Sequence, residues 1–158
     1  MDKLDIVTDE SGNEVVLLPE IIFSNKQNIN WKDVEDYLGK YVGELIEIAE
    51  TRDIIYIGNK FPDEYGGSSY TRKTKGARAK AKANAAQGIR EMVEIATDKV
   101  YRENHKEKHS EDAHNGWFYY VTRFAIPLYN NEKKTGEYNV YSACLVVNHG
   151  PMSRFSTS

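Results

Sequence analysis

WFYYVTRFAIPL at residues 117–128 and YNVYSACLVV at residues 138–147 are the clearest structural signals in this sequence. Both runs are rich in aromatic and β-branched residues, which favour strands. The polar stretch NNEKKTG at residues 130–136 separates them and is typical of a turn. We therefore predict a long β-hairpin. Successive side chains of a strand point to opposite sides, and the second run is apolar on both, so neither side is expected to be a plain solvent face.

Shorter patterns before this hairpin predict further strands and one helix. A strand is expected at residues 14–19, where a proline ends the run EVVLLP. Two β-branched runs at residues 45–48 and 54–57 flank a polar turn and predict a second hairpin. Between these elements, Asn30 is a good N-cap for apolar residues at helical spacing, and we expect that helix to end near Gly43.

The middle of the chain combines a predicted loop with a predicted helical region. Residues 61–70 contain a proline and two glycines among polar residues, and this composition predicts a loop. Residues 75–98 are rich in alanine and have high helix propensity. Because Gly88 interrupts this run, one helix and two helices that meet there are both compatible with it.

These elements predict an α+β fold with an antiparallel sheet of about four to five strands and two or three helices packed on one side. The length of 158 residues is that of one domain. We expect residues 1–13 to be disordered or frayed, residues 14–150 to form a single α+β domain and residues 151–158 to be a flexible C-terminus.

Composition excludes several classes of protein. The single cysteine, Cys144, rules out an intramolecular disulfide and a CxxC metal knuckle. No apolar run is long enough to span a bilayer, and the first residues lack the basic and apolar regions of a secretory signal. We therefore expect a cytoplasmic protein with no membrane partner.

The net charge of −3 is unevenly distributed along the chain. The net charge is −8 over residues 1–58, +5 over residues 59–109 and zero over the remainder. The positive charge is concentrated between residues 71 and 82, where six cations occur without an acid. Such a block is a candidate contact for an anion, and the solvated face of an alanine-rich helix is the alternative. The candidate nucleic-acid-binding residues are Arg72, Lys73, Lys75, Arg78 and Lys82.

Arg123 is unusual because it lies in the middle of an apolar strand. A charge in such a place must be paired or line a cleft. One reading is a salt bridge with an acid such as Asp63 or Glu64 from the predicted loop, or a position at the edge of the sheet. The other is a fixed guanidinium that holds a phosphate and stabilises a phosphoryl transition state.

The histidines before the long hairpin are candidates for acid–base chemistry. His105 and His109 are separated by one helical turn, and His114 follows closely. The segment lacks the glutamate of an HExxH motif, so solvated or acid–base histidines are favoured over metal ligands. We expect no metal site and no cofactor.

The tyrosines of the long hairpin have two readings. They are Tyr119, Tyr120, Tyr138 and Tyr141. Tyrosines on a sheet usually belong to the core with the hydroxyl at its rim, but they can also stack on the bases of single-stranded nucleic acid.

Five stretches of the chain resemble a family of uncharacterised Firmicutes proteins encoded near prophage and other mobile elements. They are residues 53–65, 70–73, 80–89, 123–129 and 138–141. More loosely, helices followed by a hairpin with a histidine-rich entry and a strand arginine are similar to nuclease-like domains of the barnase, colicin and RelE kind in phage polyvalent proteins. The second likeness concerns architecture alone.

The sequence thus leads to three hypotheses about function. The first is a mobile-element-associated protein that binds RNA or DNA, or a metal-independent ribonuclease. In the ribonuclease, His109 or His114 is the base, and Arg123 with Lys73 and Arg78 holds the scissile phosphate. The alternative is a non-enzymatic protein-interaction or homodimerisation module without catalytic activity. The third is a small-molecule site in the cleft between the helices and the sheet.

Overall fold

A computed structural model describes residues 3–24, 28–67, 71, 73–102, 116–149 and 155–157. The helical elements are α1 (Trp31–Leu38), a 3₁₀ turn (Gly39–Tyr41), α2 (Phe61–Gly67), α3 (Ala77–Asn84), a second 3₁₀ turn (Ala85–Gly88) and α4 (Ile89–Glu94). The strands are β1 (Ile6–Thr8), β2 (Glu14–Leu17), β3 (Leu45–Glu47), β4 (Ile54–Tyr56), β5 (Thr97–Arg102), β6 (Trp117–Asn130), β7 (Lys133–His149) and β8 (Phe155–Thr157).

The predicted long hairpin is confirmed as β6 and β7, which pair along almost their whole length. Its strands are longer than predicted, so the loop shrinks to two residues, Asn131 and Glu132, between the paired Asn130 and Lys133. Both loop residues have positive φ angles, 50° and 68°. A loop of this kind matches the twist of the flanking strands and fixes the register of the hairpin.

The hairpin is the centre of a curled, mixed five-strand sheet. On the outer side of β6, β5 pairs antiparallel with its first half, and β2 pairs parallel with its second half. β1 pairs antiparallel with β2. The hairpin of β3 and β4 joins this sheet through β8, which pairs with both β7 and β4. The α+β class is therefore confirmed. The sheet is mixed rather than purely antiparallel because β2 reaches β6 from far away in the sequence and not through a hairpin.

The helices pack on one side of the sheet, as predicted. The first core cluster brings Val34 and Leu38 of α1 together with Tyr120 of β6 and Val147 of β7. A second set of buried side chains joins β2, β6 and the helices. It consists of Val16, Leu18, Ala81, Ala85, Met92, Ile95, Phe124 and Ile126. Tyr120 and Phe124 are an even number of residues apart and therefore share the side of β6 that faces the helices.

Helix α1 begins as its sequence indicates. The Asn30 side chain caps it by accepting a hydrogen bond from the backbone N–H of Lys32 at 3.1 Å. The helix tightens into a 3₁₀ turn after Leu38, and Gly43 takes a positive φ of 93° just beyond that turn. The second predicted hairpin is also confirmed, as β3 and β4.

The prediction of a loop over residues 61–70 is wrong for its first part, because residues 61–67 form α2. Pro62 lies in the first helical turn, where its missing N–H costs no hydrogen bond, and Asp63 and Glu64 favour the positive end of the helix dipole. Gly66 permits close packing on α1, since a Cβ there would lie 2.7 Å from Cγ of Glu35. Residues 68–70 lie outside the described residues.

The alanine-rich region forms a shorter helical segment than predicted. α3 and α4 meet in the 3₁₀ turn that ends at Gly88, and the helical segment ends at Glu94. A side chain at Gly88 would press on Leu18 and Val16, so this glycine allows β2 to approach the helices. Thr97 and Asp98, at the end of the predicted helical region, belong instead to the edge strand β5, which pairs with the first half of β6.

The two ends of the chain contribute strands to the sheet. Residues 1–13 were expected to be disordered or frayed, but Ile6–Thr8 form β1. The backbone N–H of Leu4 also donates to a carboxylate oxygen of Glu91 at 3.1 Å, and this bond ties the segment to α4. Near the other end, residues 155–157 form β8 within the segment expected to be flexible. None of the described helices is long and apolar enough to cross a membrane.

Candidate functional site

The described members of the basic block lie on and just before α3. Lys73, Lys75 and Arg78 have exposed side chains, whereas Lys82 is half-buried. Arg72 lies outside the described residues. Arg78 and Lys82 are separated by one helical turn and share a face of α3. Lys80 is half a turn away from both and is directed to another side of the helix.

The exposed part of this block has no carboxylate partner within the described part of the chain. Among the described residues, Lys73, Lys75 and Arg78 form no ion pair. The ion pairs of the described residues instead use cations elsewhere in the chain, namely Lys3, Lys32, Arg52, Arg90 and Lys99. The described acids of the first 58 residues therefore form no ion pair with these three cations.

A cleft of about 720 Å³ lies between the helices and the long hairpin. Its walls come from the helical elements on one side and from β6 and β7 on the other. Along β7 the lining also includes residues of the side of the strand that faces away from the helices, namely Val140, Ser142, Cys144 and Val146. Phe124 and Tyr141 stack at its sheet side, with ring centroids 5.5 Å apart and an angle of 16° between the rings. Arg78 and Lys82 are its cationic side chains, and among the described residues no Asp or Glu lines it.

Lys82 is held in the cleft by contacts with two residues from the region of α2. Its amine donates a hydrogen bond to Oγ1 of Thr71 and lies 4.8 Å from the centre of the Tyr65 ring. The Tyr65 hydroxyl donates to the Lys82 carbonyl oxygen, and Thr71 donates to the Tyr65 carbonyl oxygen at 2.8 Å. Burial lowers the pKa of Lys82 and raises that of Tyr65. The Lys82 amine is thus partly desolvated and has a defined position.

Arg123 lies on the other side of the sheet. Its neighbours in β6 face the helices, because Thr122 donates to the carbonyl oxygen of Met92 at 2.7 Å and Phe124 belongs to the core. Side chains alternate along a strand, so Arg123 points away from the helices. It is half-buried opposite Ser142, and its guanidinium forms no hydrogen bond or ion pair with another described residue. Arg123 therefore does not converge with the basic block.

Arg123 also lacks the predicted acidic partner. Neither Asp63 nor Glu64 pairs with it, because both belong to α2 on the helical side of the sheet. The other two candidate catalytic residues, His109 and His114, lie outside the described residues. Within the described ranges, no group of three or more His, Cys, Asp or Glu side chains could hold a metal ion.

The hairpin tyrosines divide between the two sides of the sheet. Tyr120 is buried in the core, and Tyr141 is half-buried beside Phe124 in the cleft. Tyr119 and Tyr138 are on the side opposite the helices, where Arg102 lies 5.5 Å from the centre of the Tyr119 ring. The core reading is therefore confirmed for Tyr120, whereas stacking on nucleic-acid bases stays a prediction for the other tyrosines.

The sequence patterns did not reveal a polar cluster around Asp53. Its carboxylate accepts hydrogen bonds from Tyr120, from Thr51 at 2.7 Å and from Lys99 at 2.8 Å. Burial alone would raise the pKa of Asp53, but the bonds from Lys99, Tyr120 and Thr51 lower it overall. These partners are 2 to 67 positions away in the sequence, and spacing alone cannot show such a contact. The cluster fastens the turn between β3 and β4 to the main sheet.

Comparison with known proteins identifies no relative of this chain. It matches no family model, no curated protein and no solved structure.

Proposed function

We propose that this protein binds RNA or DNA through a basic surface formed by Lys73, Lys75 and Arg78. The observation that carries the proposal is that these three exposed cations have no carboxylate partner among the described residues, although the chain as a whole is acidic. Unpaired surface cations attract polyanions, and each phosphate contact releases condensed counterions. No base-reading motif accompanies this surface, so we expect binding without strong sequence preference.

Cleavage of RNA is a narrower proposal. It requires His109 or His114 as the base beside a bound phosphate. Arg123 does not support it, because its side chain lies across the sheet from the basic surface. We therefore propose binding as the function and treat cleavage as a property to be measured in the same experiment.

Fluorescence anisotropy with labelled 12-nucleotide RNA and DNA tests the proposal. The triple variant Lys73→Gln, Lys75→Gln and Arg78→Gln removes the basic surface while it keeps exposed polar side chains. We expect its affinity to fall at least about tenfold at low salt, since three phosphate contacts are lost. Intact RNA at the end of the titration would count against ribonuclease activity.

A matched control removes three cations from other parts of the surface. The variant Lys32→Gln, Arg52→Gln and Lys133→Gln changes the net charge by the same amount, and these side chains are exposed. We expect it to bind almost as tightly as the wild type. Equal losses in both triple variants would show that overall charge, and not the basic surface, governs binding.

Self-association through the side of the sheet opposite the helices is the second candidate function. Val100 and Val140 on this side are 48% and 57% exposed. Val121 and Cys144 pair between them, so apolar side chains extend on both sides of Arg123. Light scattering after size-exclusion chromatography tests this candidate. A dimer that Val140→Glu converts to a monomer would support it. A wild-type protein that stays monomeric at about 100 µM, a concentration at which a dimer with a micromolar dissociation constant would form, would contradict it.

A further inference from the structure

We infer that the cleft between the helices and the long hairpin binds a small molecule with an apolar body and one anionic group. The anion would be held by Lys82 and Arg78, and the body would lie between α4 and the stacked rings of Phe124 and Tyr141. This inference does not depend on nucleic-acid binding, because its principal residue, Lys82, is not part of the basic surface.

The space in the cleft arises from small side chains. Ala81 of α3 and Ala85 of the second 3₁₀ turn line it and are themselves buried, so only methyl groups face the opposite strands at these two positions. At about 720 Å³, the cleft is within the range of roughly 300–1,000 Å³ that is usual for small-molecule sites. The alanine-rich composition of α3 thus has a consequence besides helix propensity.

The walls select an apolar body. Ile89, Met92 and Val93 line the helical side. The opposite side contains the half-buried Tyr141 ring, which stacks on the buried Phe124 and against which an aromatic or aliphatic group can pack. A ligand with charges along its whole length would leave some of them against these apolar walls, at a high desolvation cost.

The charges in the cleft select a single anionic group. Two of the described lining residues are charged at neutral pH. They are Arg78 and Lys82, both cations, and they are one helical turn apart. Contacts with Thr71 and Tyr65 fix the position of the Lys82 amine before a ligand arrives. A carboxylate or sulfonate near this amine would form a charge-assisted hydrogen bond.

Displacement of 1-anilinonaphthalene-8-sulfonate tests the inference, because this probe combines an aromatic body with one sulfonate. We expect it to fluoresce on binding to the native protein and to be displaced by dodecanoate. 1-Dodecanol has the same chain length and no charge. It should displace the probe with at least about tenfold lower affinity than dodecanoate, because a hydrogen bond to a charged group is lost. Equal displacement by the acid and the alcohol would overturn the role of the cations.

Two lysine variants locate the anion. Lys82→Met keeps the volume of the side chain. It should lower the affinity for dodecanoate at least about tenfold and leave the affinity for 1-dodecanol unchanged. Lys80→Met is the matched control, since Lys80 is on the same helix and does not line the cleft. Equal effects of the two variants, or no effect of Lys82→Met, would contradict the inference.

A methionine signal provides a second readout that does not depend on any variant's folding. The chain has three methionines, Met1, Met92 and Met152, of which Met92 lines the cleft. In protein labelled with ¹³C at the methionine methyl groups, dodecanoate should shift the Met92 resonance. An unmoved Met92 resonance at saturating dodecanoate would place the ligand elsewhere and overturn the inference. Because the assay contains no nucleic acid, its outcome is separate from that of the proposed function.

Discussion

Replacing Asn84 by alanine should destabilise the protein strongly, because this buried side chain forms four hydrogen bonds. Its Oδ1 accepts from the backbone N–H groups of Ile22 and Phe23 at 2.8 and 3.0 Å. Its Nδ2 donates to the carbonyl oxygens of Phe23 and Lys80 at 2.9 and 2.8 Å. The side chain therefore fastens the segment after β2 to α3, the helix that carries Arg78 and Lys82.

The size of the effect follows from these bonds. At about 1 kcal/mol of net stabilisation per hydrogen bond, four bonds contribute about 4 kcal/mol. Alanine has a higher helix propensity than asparagine, and this difference offsets about 0.6 kcal/mol of the loss in stability. We expect Asn84→Ala to lower the free energy of unfolding by about 3 kcal/mol and, for a chain of this length, Tm by about 10 °C.

Urea denaturation followed by far-UV circular dichroism measures this loss. The control is Gln87→Ala on the same helical segment, where a half-buried side chain donates to the carbonyl oxygens of Glu20 and Asn84. We expect the control to cost about 1 kcal/mol. If Asn84→Ala lowers the free energy of unfolding no more than Gln87→Ala does, water replaces the four bonds at no loss, and Asn84 does not fasten the segment after β2 to α3.

Three further substitutions test other parts of the fold. Glu132→Gly should raise the free energy of unfolding by about 1 kcal/mol in urea, because glycine adopts the positive φ of this turn residue without strain; a decrease would contradict the turn geometry. Gly66→Ala should lower it by about 1 kcal/mol, because the new methyl group meets the Glu35 side chain, and Glu35→Ala in the same protein should restore most of the loss. Asp53→Asn should cost most near pH 7 and less in acid. The lowered pKa of Asp53 means that its stabilising effect is present above the unfolded pKa, about 3.9, and is lost as the pH falls through the folded value. An unchanged difference between pH 7 and pH 3 would contradict that assignment.

Local patterns predicted those elements that depend on neighbouring residues. The long hairpin follows from two strand-forming runs around a polar turn, and α1 follows from its N-cap and apolar spacing. α2 was missed because Pro62 and Gly66 are usually read as helix breakers. Pro62 is harmless in a first helical turn, and Gly66 is needed for the packing against α1, which only the folded structure reveals.

The candidate site could be predicted only in part. The basic block is visible in the sequence, and its exposed residues remain without carboxylate partners in the described structure. The alternation in β6 shows that Arg123 and Phe124 point to opposite sides, but it does not show which side the helices cover. That depends on the packing of Met92 and the alanines of α3, and it separates Arg123 from the basic surface.

The salt dependence of RNA binding is the sharpest test of whether the basic surface binds phosphates. Three phosphate contacts predict that the logarithm of the association constant falls against the logarithm of salt concentration with a slope of about −2 for single strands. This corresponds to roughly a 20-fold loss of affinity between 50 and 200 mM salt. In the triple variant of Lys73, Lys75 and Arg78, the slope should approach zero. A wild-type slope unchanged by these three substitutions, or no binding at 50 mM salt, would contradict the claim that the basic surface binds nucleic acid.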